Sequence, residues 1–148
     1  GALREELDEQ IRSSNLTGHV RTVGAVTEQD LPLLYRAAEF SIVPSSAYEG
    51  FGLILLESLA SGTPVLGTPV GAIPEVLGPF DESLLLEGAS PKHLADGICD
   101  TLSGRRKLPS MTECESYAVD RFAWPVVVSS INNVYCEVLG IPGGNATK

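Results

Sequence analysis

Apolar positions recur along the chain in two rhythms, and the points where one gives way to the other mark the elements. Leu3, Leu7 and Ile11 at spacing four predict a helix from Ala2 to Ser13, closed by Asn15 and Gly18. Val20 to Val23 reads as a short strand that leaves through the small-residue turn Val23-Gly24-Ala25-Val26. Thr27, with Asp30 and Pro32 close by, opens a second helix running to Glu39. Phe40 to Val43 is the next strand, ended by Pro44. Leu53-Ile54-Leu55-Leu56 with Leu59-Ala60 is apolar nearly all round, which predicts a helix lying inside the protein. Pro64-Val65-Leu66 reads as a strand, Gly67 to Gly71 as a loop, Ile73 to Leu77 as a short helix and Leu84-Leu85-Leu86 as a fourth strand. Ser90-Pro91 begins a helix with the cap and first-turn residues such starts prefer, and Leu94, Ile98 and Leu102 form its apolar stripe. Helices from Thr112 to Phe122 and from Trp124 to Leu139 close the chain.

Short apolar strands alternating with helices predict an α/β fold with a parallel sheet. Ligands of such sheets sit beyond the carboxyl ends of the strands. Glu49, Gly52 and Gly71 all come just after strand ends, so this rule gathers them in one place.

The candidate chemistry lies between Ser45 and Gly62. Glu57 is a carboxylate on the apolar helix, and burying it ionised costs several kcal/mol, on the order of desolvation penalties, unless a partner or ligand hydrogen-bonds it. Ahead of the helix, Gly50-Phe51-Gly52 lets a ligand approach the backbone while the N–H groups of the first turn point outward, which makes an anion site. At ~1.5 Å per residue, Glu57 stands only ~6 Å along the axis from Leu53, and Glu49 lies just before the turn. Carboxylates only accept hydrogen bonds, so two of them flanking such a helix start suit a ligand with phosphate in its middle and hydroxyls at both ends. A nucleotide sugar has that form.

The stretch Glu49-Gly50-Phe51-Gly52-Leu53-Ile54-Leu55-Leu56-Glu57 resembles the E-x7-E motif of the family 4 (group 1) retaining glycosyltransferases. Leu34 to Glu39 with Ile42-Val43-Pro44-Ser45 is similar to the helix and strand before that motif, and Ala60 to Val65 and Gly71 to Val76 resemble the family's segments after it. The resemblance runs from about Leu3 to Leu139. It implies the two-domain GT-B fold, with residues 1–140 as part of the Rossmann-like, C-terminal, donor-binding domain and 141–148 as a flexible tail. Glu49 then takes the catalytic place, on the hydroxyls of the transferred sugar, and Glu57 the ribose hydroxyls. The backbone of Gly50, Phe51, Gly52 and Leu53 binds the pyrophosphate, and Gly24 and Ala25 line the nucleobase.

The implied reaction passes a hexosyl unit from a nucleoside diphosphate to an acceptor hydroxyl with retention. It needs no metal and no cofactor beyond the donor substrate. Against a complete domain of strand order 3-2-1-4-5-6, two strands are missing that would precede Gly1 and lie between the first two strands here. The acceptor-binding N-terminal domain is missing too, and the family's dyad histidine belongs to it, so the isolated fragment is expected to be inactive. The remaining strands either pair directly or leave open edges that a second copy covers by self-association.

The formal charge of −9 over 148 residues is spread along the chain, and the one compact basic cluster, Arg105-Arg106-Lys107, reads as a solvated helix end. General nucleic-acid binding is therefore excluded. Cys99, Cys114 and Cys136 have neither metal-ligand spacing nor an even count, which suits a reducing compartment. No apolar run reaches the ~18 residues of a membrane span, so the expected place is the cytoplasm, with the inner membrane face reached through the missing domain. The sequons at Asn15 and Asn145 are read as chance matches. His19 and His93 are read as surface residues, Tyr48 as packing and Glu75 as a brace for the Gly71 loop. Gly50-x-Gly52 lacks the third glycine of a dinucleotide fingerprint, so an NAD site is rejected. Three rivals stand beside the transferase: a module that only binds nucleotide sugar, an epimerase or phosphorylase on the same architecture, and a bare α/β scaffold.

Overall fold

The computed structural model describes residues 2–142, so the sequon at Asn145 and most of the expected tail lie outside the described residues. The chain divides into two units, Gly1–Leu31 and Pro32–Lys148.

In the first unit, α1 (Arg4–Ser13) forms where its spacing predicts, and of its side chains only Ile11 is buried. Arg4 pairs with Asp8 at 3.6 Å, and the Thr22 hydroxyl donates to Asp8 at 2.8 Å, which fastens the helix to the segment after it. Val20 to Val23 is not a strand. A strand exists only as one side of a ladder, and the described residues of this unit contain no other strand, so the segment runs irregularly with Val20 and Val23 exposed.

The second unit opens with α2 (Leu31–Arg36), shorter at both ends than the expected Thr27–Glu39. The Asp30 N–H donates to the Thr27 hydroxyl at 3.2 Å, but this makes a turn and the regular helix begins only ahead of Pro32. The helix ends early because the Ala38 N–H bonds to Tyr35, three residues back, which tightens the last turn. β1 (Ser41–Val43) pairs directly and in parallel with β2 (Val65–Gly67), Ile42 opposite Leu66. Leu84-Leu85-Leu86 adds one bridge, Gly67 with Leu85, in place of a full strand. A 3₁₀ turn over Glu82–Leu84, capped by the Asp81 carboxylate, consumes the first of its residues.

Between the strands runs α3 (Leu53–Ala60), and after them come α4 (Ile73–Leu77), α5 (Pro91–Leu102), α6 (Met111–Phe122) and α7 (Trp124–Leu139). Leu55, Leu59, Val65, Leu66, Ile73, Leu77 and Leu84 are fully buried together. At roughly 1.5–3 kcal/mol for each fully buried aliphatic side chain, this cluster is the main source of stability for the unit. Two expectations of burial fail. Only one side of α3 meets the strands and α6, so Leu53 and Ile54 on the other side are exposed. In α5 Leu94 of the expected stripe packs against the core and Ile98 is half-buried, but the fully buried positions are Gly97 and Thr101 and Leu102 is exposed. No helix among the described residues is long and apolar enough to cross a membrane. The α/β architecture with a parallel sheet flanked by helices is as expected.

Candidate functional site

The loop leaving β1 is fixed by a chain of hydrogen bonds that ends on Glu49. The Thr68 hydroxyl, buried just past β2, donates to the Ser45 carbonyl at 2.6 Å, and the Ser45 hydroxyl donates to Glu49 Oε2 at 2.9 Å. Behind Glu49, its own carbonyl accepts the Ala72 N–H at 3.2 Å. The loops after β1 and β2 therefore touch at this residue. Gly71 makes the contact feasible: its φ is +55°, and a Cβ there would collide with the Glu49 carbonyl oxygen. Gly52 is the N-cap of α3 at φ 79°, ψ 52°, with no side chain bonding the first turn. A Cβ on Gly52 would meet Leu55 at 2.9 Å and lie 3.8 Å from Glu49 Cγ. Glu49, Gly52 and Gly71 thus come together beyond the strand ends, as the rule for parallel sheets requires. The result is a half-buried carboxylate beside a helix start whose N–H groups carry partial positive charge and have no capping side chain.

Glu57 departs from expectation. It is exposed, one turn beyond Leu53 on the outward face of α3, so no burial cost forces a partner on it. It has one nevertheless, since the Tyr35 hydroxyl donates to its Oε2 at 3.2 Å. Burial, together with the carboxylate beside it, raises the Tyr35 phenol above its ordinary value, so the hydroxyl keeps its proton and remains a donor.

Phe51 and Leu53 flank Gly52 at the helix start with exposed side chains. The Phe51 ring packs edge-on against Phe122, 6.1 Å between centroids, Phe122 against Tyr117, and Tyr117 stacks on Phe80 at 4.4 Å. The Tyr117 hydroxyl donates to the Val76 carbonyl at 2.6 Å, so this aromatic run braces the glycine loop against α6 and α4. Gly50 is open, with nothing within 4 Å of where a Cβ would be. Tyr48 does not pack. It is fully exposed in the left-handed region at φ 60°. The carboxylate of Glu75 is exposed, and the tie on the Gly71 loop is the Ala72 to Glu49 bond instead. Gly24 and Ala25 belong to the first unit, where they line a cleft of about 590 Å³ with Leu3, Arg4, Leu7 and Thr22. His19 is exposed, and His93 caps with Ser90 at the start of α5. All three cysteines are free thiols. Among the described residues no three His, Cys, Asp or Glu side chains cluster as metal ligands would.

Sequence reasoning missed the hydroxyls. Ser45 stands four residues before Glu49 within the stretch already singled out, so its role was within reach of a turn argument. Tyr35 is 22 residues from Glu57 and Thr68 is 23 from Ser45, separations at which no local pattern signals a contact.

The profile of the family described as "Glycosyl transferases group 1" matches residues 1–119, and the chain belongs to that family. A D-inositol 3-phosphate glycosyltransferase from Corynebacterium aurimucosum is 32% identical over 122 residues, which cover 82% of this chain and 29% of the relative. A phosphatidyl-myo-inositol mannosyltransferase from Mycobacterium leprae is 31% identical over 130 residues, covering 86% of this chain and 35% of its own. Among solved structures, sucrose-phosphate synthase from Thermosynechococcus elongatus superposes with a TM-score of 0.78 at 27% identity over 95% of this chain and 35% of that one. Anabaena Alr3699/HepE, solved in complex with UDP-glucose, gives 0.72 at 26% identity, covering 92% of this chain and 36% of that one. The chain thus spans about a third of the length of the proteins it matches.

Proposed function

We infer that this chain is the nucleotide-sugar-binding part of a retaining glycosyltransferase that passes a hexosyl unit from a nucleoside diphosphate to an acceptor hydroxyl. The observation that carries the reading is Glu49 fixed beside the uncapped start of α3, with Glu57 one turn further on the open face of the same helix. Glu49 accepts hydrogen bonds from hydroxyls of the transferred sugar. The backbone N–H groups from Phe51 to Leu53 meet the diphosphate, at about 1.5–3 kcal/mol for each charge-assisted bond. Because charge grows on the diphosphate as the glycosidic bond breaks, donors already aimed there favour the transition state over the bound substrate. Glu57 accepts from the ribose. The UDP and UDP-glucose complexes of the Anabaena protein support a donor of this class. Relatives about three times as long support assigning the acceptor side to a further domain.

Calorimetry with uridine, guanosine and adenosine diphosphates and their glucose and mannose derivatives tests the reading, with wild type beside Glu57→Gln. Binding of one base family is expected, weakened about ten-fold in the variant, a change of about 1.4 kcal/mol. No binding to any member would show that this chain is not itself a donor site.

A further inference from the structure

The outward face of α3 carries a carboxylate that is exposed and yet held. We propose that Tyr35 is the positioning residue of Glu57: its hydroxyl occupies one carboxylate oxygen and turns the other toward the ligand. This rests on the donor-site reading above. An exposed Glu on a helix has three side-chain torsions free, and ordering such a side chain costs conformational entropy. A ligand that must order the side chain for itself binds more weakly than one that finds it in place. The Tyr35 hydroxyl donates to Oε2 at 3.2 Å, leaving Oε1 to accept from a ligand hydroxyl.

The fold fixes the donor independently of this bond. Thr63 is buried, and its hydroxyl donates to the Tyr35 carbonyl at 2.7 Å. The Thr63 carbonyl accepts the hydroxyl of Ser58 at 2.9 Å, and its N–H donates to the Ser58 carbonyl at 3.0 Å. Ser58 is fully buried, next in the chain to Glu57, and its hydroxyl also shares a 2.7 Å hydrogen bond with Ser41 of β1. The ring Tyr35, Thr63, Ser58, Glu57 thus closes on itself, with buried hydroxyls on one side and the exposed pair on the other. The backbones of α2 and α3 are tied, so the spacing of Tyr35 and Glu57 along the chain's framework is set by the fold and brings the phenol within reach of the carboxylate. The half-buried phenol keeps its proton, as burial and the neighbouring carboxylate both raise its pKa.

The test is calorimetry on the full chain with uridine, guanosine and adenosine diphosphates, each beside its 2′,3′-dideoxy counterpart, in wild type, Tyr35→Phe, Glu57→Gln and the double variant. Phenylalanine keeps the ring and the backbone bond to Thr63, and the thermal midpoint confirms that the variants fold. Tyr35→Phe is expected to weaken binding of the ribonucleotide three- to ten-fold and to leave the dideoxy ligand unchanged. In the Glu57→Gln background it adds no further loss. Equal losses on both ligands, or an undiminished loss in the double variant, would mean a structural role for Tyr35 and overturn the proposal. So would unchanged binding in Tyr35→Phe while wild type binds, and that outcome leaves the donor site standing. Wild type that binds no ribonucleotide overturns the donor-site reading, and this inference with it.

Discussion

Cys114 is fully buried in the core, and burial, with Glu113 beside it, pushes its thiol up to about 11 from 9.0. Cys99 is an exposed thiol. The thiolate is the nucleophile, so iodoacetamide at pH 8 should label Cys99 quickly and Cys114 only after denaturant is added. The shift also fixes a pH dependence. Below pH 9 the folded and unfolded chains both hold this proton and its contribution to stability is constant. Between pH 9 and 11 the unfolded chain has released it and the folded chain still binds it, so stability falls as pH rises, by roughly 1 kcal/mol at pH 10. Tyr35 and Tyr117, also raised mainly by burial, push the same way. Urea unfolding at pH 8 and pH 10 isolates the cysteine when wild type is compared with Cys114→Ala: the variant should lose less stability between the two values. An equal loss would mean that the thiol is solvated in the folded state.

At the scale of elements, α6 supports the site from outside it. Its Cys114 and Ala118 belong to the core, and Phe122 carries the Phe51 ring of the glycine loop. The helix is started by a capping box in which the Ser110 hydroxyl accepts the Glu113 N–H at 3.3 Å and the Glu113 carboxylate accepts the Ser110 N–H at 2.7 Å. Removing that cap in Ser110→Ala should cost about 1 kcal/mol, read as a lower urea midpoint with an unchanged slope. Ser110→Asn should restore most of it. Features of this kind are local, which is why the starts of α5, α6 and α7 could be read to within a residue, whereas the Ser110 and Glu113 box itself was not singled out. Strands are different, because each needs a neighbour that no local pattern names. Val20 to Val23 has a strand's composition and no ladder, and Leu84 to Leu86 keeps a single bridge. The same limit applies to α3: its sequence shows an apolar helix and cannot show that one face is left uncovered, so it puts Glu57 in the wrong medium. The Glu49, Gly52 and Gly71 cluster was legible because the strand-end rule is topological. The hydroxyls that hold the two carboxylates depend on tertiary contacts, and only Ser45 lay close enough in sequence to be suspected.

For the molecule as a whole, the two units differ in how they are held. The second owns the continuous core from Val43 to Ala118, a paired sheet and the helices around it. Among its described residues the first has one buried apolar residue, Ile11, and its side-chain ties, such as the Arg4–Asp8 and Arg12–Glu9 ion pairs and the Thr22–Asp8 bond, lie partly in solvent. Chains of this size without disulfide or metal bury too little apolar surface to offset the entropy of ordering. Opening of the first unit should therefore cost much less than global unfolding. Native-state hydrogen exchange measures this directly. Amides from Arg21 to Val23, which have no ladder, should exchange within about ten-fold of the unstructured rate. Val43 and Leu66, in the paired strands, should be protected by at least about a thousand-fold, as expected for a core whose opening approaches the global free energy. The exchange of Ile11 decides how the first unit behaves. If its amide follows the slow class, opening the unit costs as much as opening the core. If it follows the fast class, the unit opens by itself while Val43 and Leu66 stay protected.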